Sequence, residues 1–234
     1  VRAPQRRAGQ CPTPQGHGGG RRNGEADGAR AAYRMTVPEA RRTVTGEDWY
    51  GREVQGERFA DTDFVAVDFG DLRSVGAVLE NCTFRRCRFN TSVHTDSAFT
   101  GCTFAYCTFF DARFVRCKLV GSTFTGCEFD LVQVDGGNWS FVALPGAALG
   151  STQWRGVRLT EADLDRVQAV GAVWRDLDLT GASLVGIDLR QADLRGSSLW
   201  SLDPAAAQLS GAIVTPEQAL VIAAALGLDV RVDD

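Results

Sequence analysis

The sequence has no run of apolar residues that approaches the eighteen or so needed for a membrane-spanning helix. Its N-terminus also lacks the apolar core of a secretory signal. We therefore expect a soluble, cytoplasmic protein with no membrane partner. Lysine is nearly absent as well, since Lys118 is the only one among 25 basic residues. Such a strong preference for arginine is typical of a GC-rich bacterial genome.

The sequence is also poor in the residues and motifs of catalysis. Only one histidine, His94, lies in the part of the chain that has a regular pattern. There is no G-x-x-x-x-G-K-[ST] phosphate loop and no G-x-S-x-G elbow. Catalysis requires a nucleophile and a base that are held together in a pocket. We therefore expect no enzymatic activity, no catalytic residues and no cofactor.

Residues 1–43 form a basic segment that differs in composition from the rest of the chain. They hold nine arginines against Glu25, Asp27 and Glu39, whereas the whole chain has a net charge of −4. Residues 1–34 are rich in Gly, Pro and Arg and have little apolar surface to bury, so we expect a disordered tail. Met35 is the only methionine and a candidate start of the native protein. A basic arm that binds nucleic acid is the alternative interpretation.

From about Val44 to Val214 the sequence repeats every five residues without a break. Large apolar residues occupy one position of this repeat, and almost every Phe and Trp falls at it. A period of five fits neither an α-helix, with its period of about 3.6, nor a strand, with its period of 2. It is typical of a solenoid in which each five-residue unit forms one side of a square coil.

A second position, two residues before the first, holds small side chains. Six of the seven cysteines lie there, and Ser and Ala occupy the same position elsewhere. These cysteines are Cys82, Cys87, Cys102, Cys107, Cys117 and Cys127. Cysteine pairs can hold zinc, but their spacing here is longer than in zinc fingers. We interpret them as small buried side chains and predict no metal site.

Four repeats complete one coil in this interpretation, so residues twenty apart lie above one another. Hydrogen bonds between coils would then be spaced as in a β-sheet, at about 4.8 Å. His94 lies above Ser74, where it would form a hydrogen bond instead of acting as a catalyst. Stacked aromatic rings form two core ladders. The predicted ladders are Phe64, Phe84, Phe104 and Phe124, and Phe69, Phe89, Phe109 and Phe129.

The repeat resembles that of the pentapeptide-repeat family, A-(D/N)-L-X-X with a central Leu or Phe. Segments such as TEADL, LTGASL and RQADL carry this resemblance. It implies an all-β fold, a right-handed quadrilateral parallel β-helix over residues 44–214. Periodicity alone predicts a solenoid but not its hand.

The five-residue pattern ends at Val214, and the following segment TPEQALVIAAALG has the features of a short α-helix. Thr215 suits the N-cap, Pro216 the first helical position, and Gln218 completes a capping box. The helix is apolar all round, so we expect a second copy to cover the side that the last coil leaves open. Residues 215–234 are thus a predicted dimerisation helix and tail. The predicted interface residues are Leu220, Ile222, Ala223 and Leu226.

Beyond residue 120, fifteen acidic residues stand against seven arginines. Asp before the central Leu belongs to the repeat itself, but other acids point outward from a straight rod. Duplex DNA is also a charged rod, with one negative charge about every 1.7 Å. The region from Arg85 to Lys118 is basic, so we expect partner contact on the C-terminal coils. The predicted partner-binding acids are Asp135, Glu161, Asp163, Asp165, Asp176, Asp178, Asp188, Asp193 and Asp203.

The segment AQLSGAIVTPEQALVIAAALGL resembles the C-terminal end of the MfpA-type fluoroquinolone-resistance proteins. The unbroken repeat is similar to theirs too, whereas the Qnr proteins carry loops that interrupt it. This resemblance implies a head-to-head homodimer that mimics DNA and binds DNA gyrase, a type II topoisomerase. Such a protein inhibits gyrase or protects it from quinolone-like drugs, which gives antibiotic resistance or self-resistance. We expect no direct binding of nucleic acid and no small-molecule ligand.

Other interpretations stay open at the level of the sequence. The chain can be a scaffold whose rigid face docks an unrelated protein, or, less in keeping with the repeat, an enzyme or metal protein. Sequence does not distinguish gyrase from topoisomerase IV as the partner.

Overall fold

The structure, a computed structural model, describes residues 41–231. Most of the predicted basic tail therefore lies outside the described residues, as do the last three residues of the predicted C-terminal segment. The first strand begins at Arg42, two residues before the predicted boundary, because the chain is already extended on both sides of buried Val44. No helix within the described range is long and apolar enough to cross a membrane.

Each five-residue repeat forms one side of a four-sided coil. All strand pairs and bridges are parallel and join residues twenty apart, from Arg42 with Thr62 to Asp193 with Ile213. Within this range the register never shifts, so no insertion interrupts the stack of coils. We number the four faces by the inward residues of their first two coils. These are Val44 and Phe64 for face 1, Trp49 and Phe69 for face 2, Val54 and Ser74 for face 3, and Phe59 and Leu79 for face 4.

Short strands mark three of the faces, and single bridges join the coils along face 2. Face 1 contains β1 Arg42–Thr45, β4 Thr62–Val65, β7 Thr83–Arg85, β10 Thr103–Ala105 and β12 Thr123–Thr125. Face 3 contains β2 Glu53–Gln55, β5 Arg73–Val75, β8 Val93–Thr95, β11 Arg113–Val115, β13 Gln133–Asp135, β14 Gln153–Arg155 and β15 Val173–Arg175. Face 4 contains β3 Arg58–Ala60, β6 Val78–Glu80 and β9 Ala98–Thr100.

The preference for Asp or Asn before the inward residue has a backbone cause. The side-chain oxygen of this residue accepts a hydrogen bond from the backbone N–H two positions later. Examples are Asp163 with the N–H of Asp165 at 3.1 Å and Asn138 with the N–H of Ser140 at 3.0 Å. Such local bonds satisfy N–H groups at the turns, where the ladder between coils does not reach them.

At most corners the residue two positions after the inward residue adopts a left-handed conformation. Asn81 has a φ of 53° and Gly101, directly above it, has a φ of 61°. Only Gly adopts this conformation freely, while Asn and Asp tolerate it best among the other residues. This corner requirement accounts for much of the high glycine content of the chain.

The core is filled by stacked rings and small side chains. On face 1, Phe104 lies between Phe84 and Phe124, with ring centroids 4.7 and 4.6 Å apart and the rings nearly parallel. On face 2, Phe69, Phe89 and Phe109 stack at 4.8 and 4.9 Å, and Phe129 follows at 5.3 Å. Both ladders thus have the twenty-residue spacing of the coils.

The six cysteines of the small position are free thiols. All but Cys127 are buried. Each points its sulfur at a backbone carbonyl, as Cys107 does toward the Phe84 oxygen at 3.4 Å. Burial raises the pKa of the Cys117 thiol to about 11, so this side chain stays protonated at neutral pH.

One helix, α1 Pro216–Ala225, closes the C-terminal end of the solenoid. Its capping box is formed by Thr215 and Gln218, as the sequence predicts. The Gln218 amide also donates to the carbonyl oxygens of Leu194 and Ser197, each at 2.7 Å. These two bonds dock the first turn of α1 on the last complete coil. The Leu194 carbonyl also accepts from the Ser197 N–H at 3.0 Å, whereas the Ser197 carbonyl has no coil above it to pair with.

Candidate partner-binding surface

The predicted acids are distributed around the solenoid and do not form a single surface. Every face and two of the corners carry at least one of them, because each twenty-residue coil returns to all four faces. Asp163 and Asp165 lie on face 1, Asp188 on face 2, Asp135 and Asp193 on face 3, and Asp178 on face 4. Glu161 and Asp176 lie at corners, and Asp203 lies in the irregular turn of the last coil.

Glu161, Asp163 and Asp165 are brought together within one turn of the coil, and we call them the acidic patch. None of the three forms an ion pair with an Arg or Lys of residues 41–231. Asp165 accepts hydrogen bonds from the Ser183 hydroxyl at 2.5 Å and the Val185 N–H at 3.0 Å, which fix its carboxylate at the surface. The patch therefore presents uncompensated negative charge in a fixed arrangement.

Glu161 owes its position to a glycine in the next coil. A Cβ atom added at Gly181 would lie 2.6 Å from Glu161 Oε1, so the carboxylate occupies the space that a larger residue would fill. At the corner between faces 3 and 4, Asp176 lies over Gly196 in the same way. In the sequence, an acidic side chain that lies over a glycine of the next coil can be recognised by that glycine, which follows it by twenty residues.

Asp188 and Asp193 are not free surface acids, and the prediction was wrong for these two. Both are buried, with 1% and 9% of their surface exposed. Asp188 accepts from the Arg190 guanidinium at 2.7 Å, and this hydrogen bond lowers the pKa of the carboxyl group. Asp193 is held between Arg195 and Arg175, whose Nη2 atoms lie 2.9 and 2.5 Å from it. Their charge is therefore neutralised within the chain.

The remaining predicted acids are intermediate cases. Asp178 lies 3.9 Å from the Arg158 Nε atom, and hydrogen bonding by Thr180 lowers the pKa of its carboxyl group. Asp135 and Asp203 are exposed. On face 3 the column above Asp135 is basic, since Arg155, Arg175 and Arg195 follow one another, the first two as strand partners. The C-terminal coils of face 3 therefore carry less net negative charge than those of face 1.

The predicted dimer residues separate into two groups. Leu220 and Leu226 are exposed, at 48% and 54%, and leave an apolar surface at the end of the molecule. Ile222 and Ala223 are half-buried, and Ile222 packs against the chain's own core, so a second copy would find less of these two side chains exposed. Sequence reasoning missed Leu228 and Val230, which follow α1 and are 61% and 49% exposed.

Within residues 41–231 no group of three or more His, Cys, Asp or Glu side chains is arranged to hold a metal ion. His94 is buried in the aromatic core, and burial lowers its pKa to about 3. Its ring is neutral at physiological pH and enclosed among Ser and Phe side chains.

Comparisons with known proteins agree with this architecture. A family model described as pentapeptide repeats matches residues 158–196 and 175–203, with eight copies. The full-length structure of QnrB1, a plasmid-mediated fluoroquinolone resistance protein, is similar at a TM-score of 0.54 and 20% identity, over 80% of this chain and 97% of that one.

A second structure is that of HetL, a pentapeptide repeat protein involved in heterocyst differentiation regulation from the cyanobacterium Nostoc sp. strain PCC 7120. It has a TM-score of 0.35 and 18% identity, over 73% of this chain and 82% of that chain. No curated protein is similar enough in sequence to match this chain. Residues 158–203 thus match the pentapeptide-repeat model, and the chain shares with QnrB1 the fold that its unbroken twenty-residue register builds.

Proposed function

We propose that this protein imitates duplex DNA and binds DNA gyrase, a type II topoisomerase, and so inhibits the enzyme or protects it from quinolone-like drugs. The proposal places the protein in the cytoplasm, where gyrase acts on the chromosome. The resistance role in the name of QnrB1 supports this direction.

The acidic patch on an uninterrupted stack of coils is the observation that carries the proposal. The DNA-binding surface of a topoisomerase must be positively charged to hold phosphates. Glu161, Asp163 and Asp165 offer such a surface three carboxylates that form no ion pair within residues 41–231. Because the register is unbroken, these carboxylates project from a rigid stack of coils that are about 4.8 Å apart. Binding therefore does not have to order a flexible segment, which would cost conformational entropy.

A second copy would extend the rod. Leu220, Leu226 and Leu228 leave α1 with an exposed apolar side, and apolar surface of this kind is typical of interfaces. We propose an end-to-end homodimer in which this surface of one copy meets the same surface of the other. Two acidic patches would then lie on one extended rod, as phosphates do along a long DNA segment.

The experiment compares two sets of neutral variants in a gyrase supercoiling assay. In the triple variant E161Q/D163N/D165N the amide oxygens can still accept the backbone hydrogen bonds, so the fold is retained while three charges are lost. We expect this variant to require about tenfold more protein for half-inhibition than the unsubstituted chain. Added salt should weaken inhibition by the unsubstituted chain, since exposed charges are screened.

The matched control is E128Q/D130N, which removes two exposed charges from face 2. We expect it to inhibit as the unsubstituted chain does. Equal losses in both variants would contradict the assignment of the acidic patch. An unsubstituted chain that neither inhibits gyrase or topoisomerase IV nor protects them from a quinolone would contradict the proposed function and favour a scaffold for another protein.

A further inference from the structure

Arg85, Arg86 and Tyr106 line a groove of about 450 Å³ where face 1 meets the corner before face 2. Val65 and Ala105 form the rest of its wall. The volume lies within the range of about 300–1,000 Å³ that is usual for small-molecule sites. Several coils separate the groove from the acidic patch, and the proposed function does not use the groove.

The two arginines of the groove differ from their neighbours in having no acidic partner. Arg88, two residues later, is paired with Asp68, and Arg116 binds Asp96 at 2.7 Å. Arg85 and Arg86 are exposed, and neither forms an ion pair within residues 41–231. Two adjacent free guanidinium groups favour a ligand with phosphate oxygens, which they bind through paired hydrogen bonds.

Tyr106 lies directly above Arg86, twenty residues later, and 65% of its surface is exposed. A Cβ atom added at Gly126 would lie 2.8 Å from Tyr106 Cδ1 and Cε1, so one edge of the ring rests on the bare glycine backbone. This contact holds one edge of the ring in place while most of the side chain stays open to solvent. A fixed aromatic face is a platform on which a planar base stacks.

Both Arg86 and Tyr106 occupy left-handed corners, with φ of 54° and 56°. Long side chains are unfavourable in this conformation compared with Gly, Asn or Asp. Ala66 below and Gly126 above are small, so the two long side chains form the walls of an open groove. The sequence signal that was missed is this pair of large residues at positions where the fold prefers glycine.

We infer that this groove binds a nucleoside phosphate, with Arg85 and Arg86 on the phosphate and Tyr106 against the base. A small ligand fits better than a DNA backbone, because the other basic residues of this region do not continue the groove. Arg73 and Arg113 lie on face 3, and Lys118 lies on face 4. The inference differs from the sequence-based expectation that the protein has no small-molecule ligand.

The test is calorimetric titration of the full chain with ATP, adenosine and inorganic phosphate. We expect ATP to bind at least tenfold more tightly than either fragment, because only ATP engages both the arginines and the ring. R85Q/R86Q and Y106A should each weaken ATP binding by about tenfold or more. R166Q is the matched control, because Arg166 is another exposed arginine in the same corner column, and it should bind ATP unchanged.

Several outcomes would overturn the inference. These are no heat of ATP binding at millimolar concentration, inorganic phosphate binding as tightly as ATP, or a loss in R166Q equal to that in R85Q/R86Q. Tighter binding of polyglutamate than of ATP would assign the groove to an acidic protein instead. The exposed positions of all four substituted residues make unfolding of the variants easy to exclude by circular dichroism, and a failure here leaves the gyrase assay unaffected.

Discussion

The Ser74 hydroxyl lies 2.7 Å from Nδ1 of His94, directly across two coils in the middle of an aromatic core. The other ring nitrogen, Nε2, lies 3.1 Å from the Ser92 hydroxyl. The ring also stacks on Phe114, with centroids 5.0 Å apart. His94 therefore acts as a polar member of a core ladder, with every nitrogen paired and no access to solvent.

This burial makes stability depend on pH. The pKa of His94 is lowered from 6.5 in the unfolded chain to about 3 in the folded chain, because burial disfavours the charged ring. Between these values the unfolded state binds a proton that the folded state does not. The free energy of unfolding is therefore unaffected by this titration above pH 6.5. Below pH 6.5 it falls by about 1.4 kcal/mol for each pH unit.

Replacing His94 with Phe should remove this dependence. Ser74 keeps the Ser97 hydroxyl at 3.0 Å and Ser92 keeps the Phe89 carbonyl at 2.7 Å, so neither serine loses its last partner. Urea unfolding measures the free energy of unfolding at each pH. Between pH 7 and pH 5 this free energy should fall by about 2 kcal/mol more in the unsubstituted chain than in H94F. Equal losses in the two proteins would show that His94 is not buried neutral.

Gly137 is the glycine that the backbone of a neighbouring coil approaches most closely. Its φ is 100°, and an added Cβ atom would lie 2.1 Å from the backbone oxygen of Cys117, which cannot move without breaking the coil. We expect G137A to lower the free energy of unfolding by about 3 kcal/mol or more. The neighbour Gly136 provides the control, because an added Cβ there meets only Arg116 Cγ, at 3.8 Å.

G136A should cost about 1 kcal/mol, from the left-handed backbone alone. Thermal unfolding of both variants under the same conditions measures the difference. Similar losses in the two would contradict the close approach between the coils of Gly137 and Cys117.

Much of this fold follows from the sequence because the five-residue period determines which residues point inward. Phe104 and Phe124 stack as the period predicts, and Thr215 caps α1 as its neighbours predict. What the period cannot show is which outward charges are neutralised. Asp193 and Asp163 hold the same repeat position, yet only Asp193 has arginines on the same coil and on the coil below. That difference depends on residues twenty apart and on side-chain reach.

Asp188 is an acidic residue that stabilises the fold, in contrast to the acids that we propose bind a partner. Its Oδ1 accepts from the Arg190 backbone at 3.2 Å and from the Arg190 guanidinium at 2.9 Å. Arg190 lowers the pKa of this carboxyl group, so its stabilisation is present above about pH 4 and is lost as the pH falls further.

D188A should therefore destabilise the fold by about 1–3 kcal/mol at pH 7, because it leaves the Arg190 N–H without an acceptor. D188N should cost less, since its amide oxygen still accepts that bond. Chemical unfolding of both variants checks this order, and D163N, which keeps its backbone bond and has no arginine partner, should be close to neutral. A D188N variant as unstable as D188A would contradict the backbone role.

The proposed end-to-end dimer can be tested by changing only exposed residues of α1 and the residue that follows it. Leu220 and Leu226 are exposed while Gln218 docks the helix on the last coil, so charging the two leucines leaves the docking intact. Sedimentation equilibrium should show a dimer for the unsubstituted chain and a monomer for L220E/L226E, with little change in melting temperature. V185E is the control, because Val185 is 61% exposed on face 1, away from the end. This variant should remain dimeric, and a dimeric L220E/L226E would place the interface elsewhere.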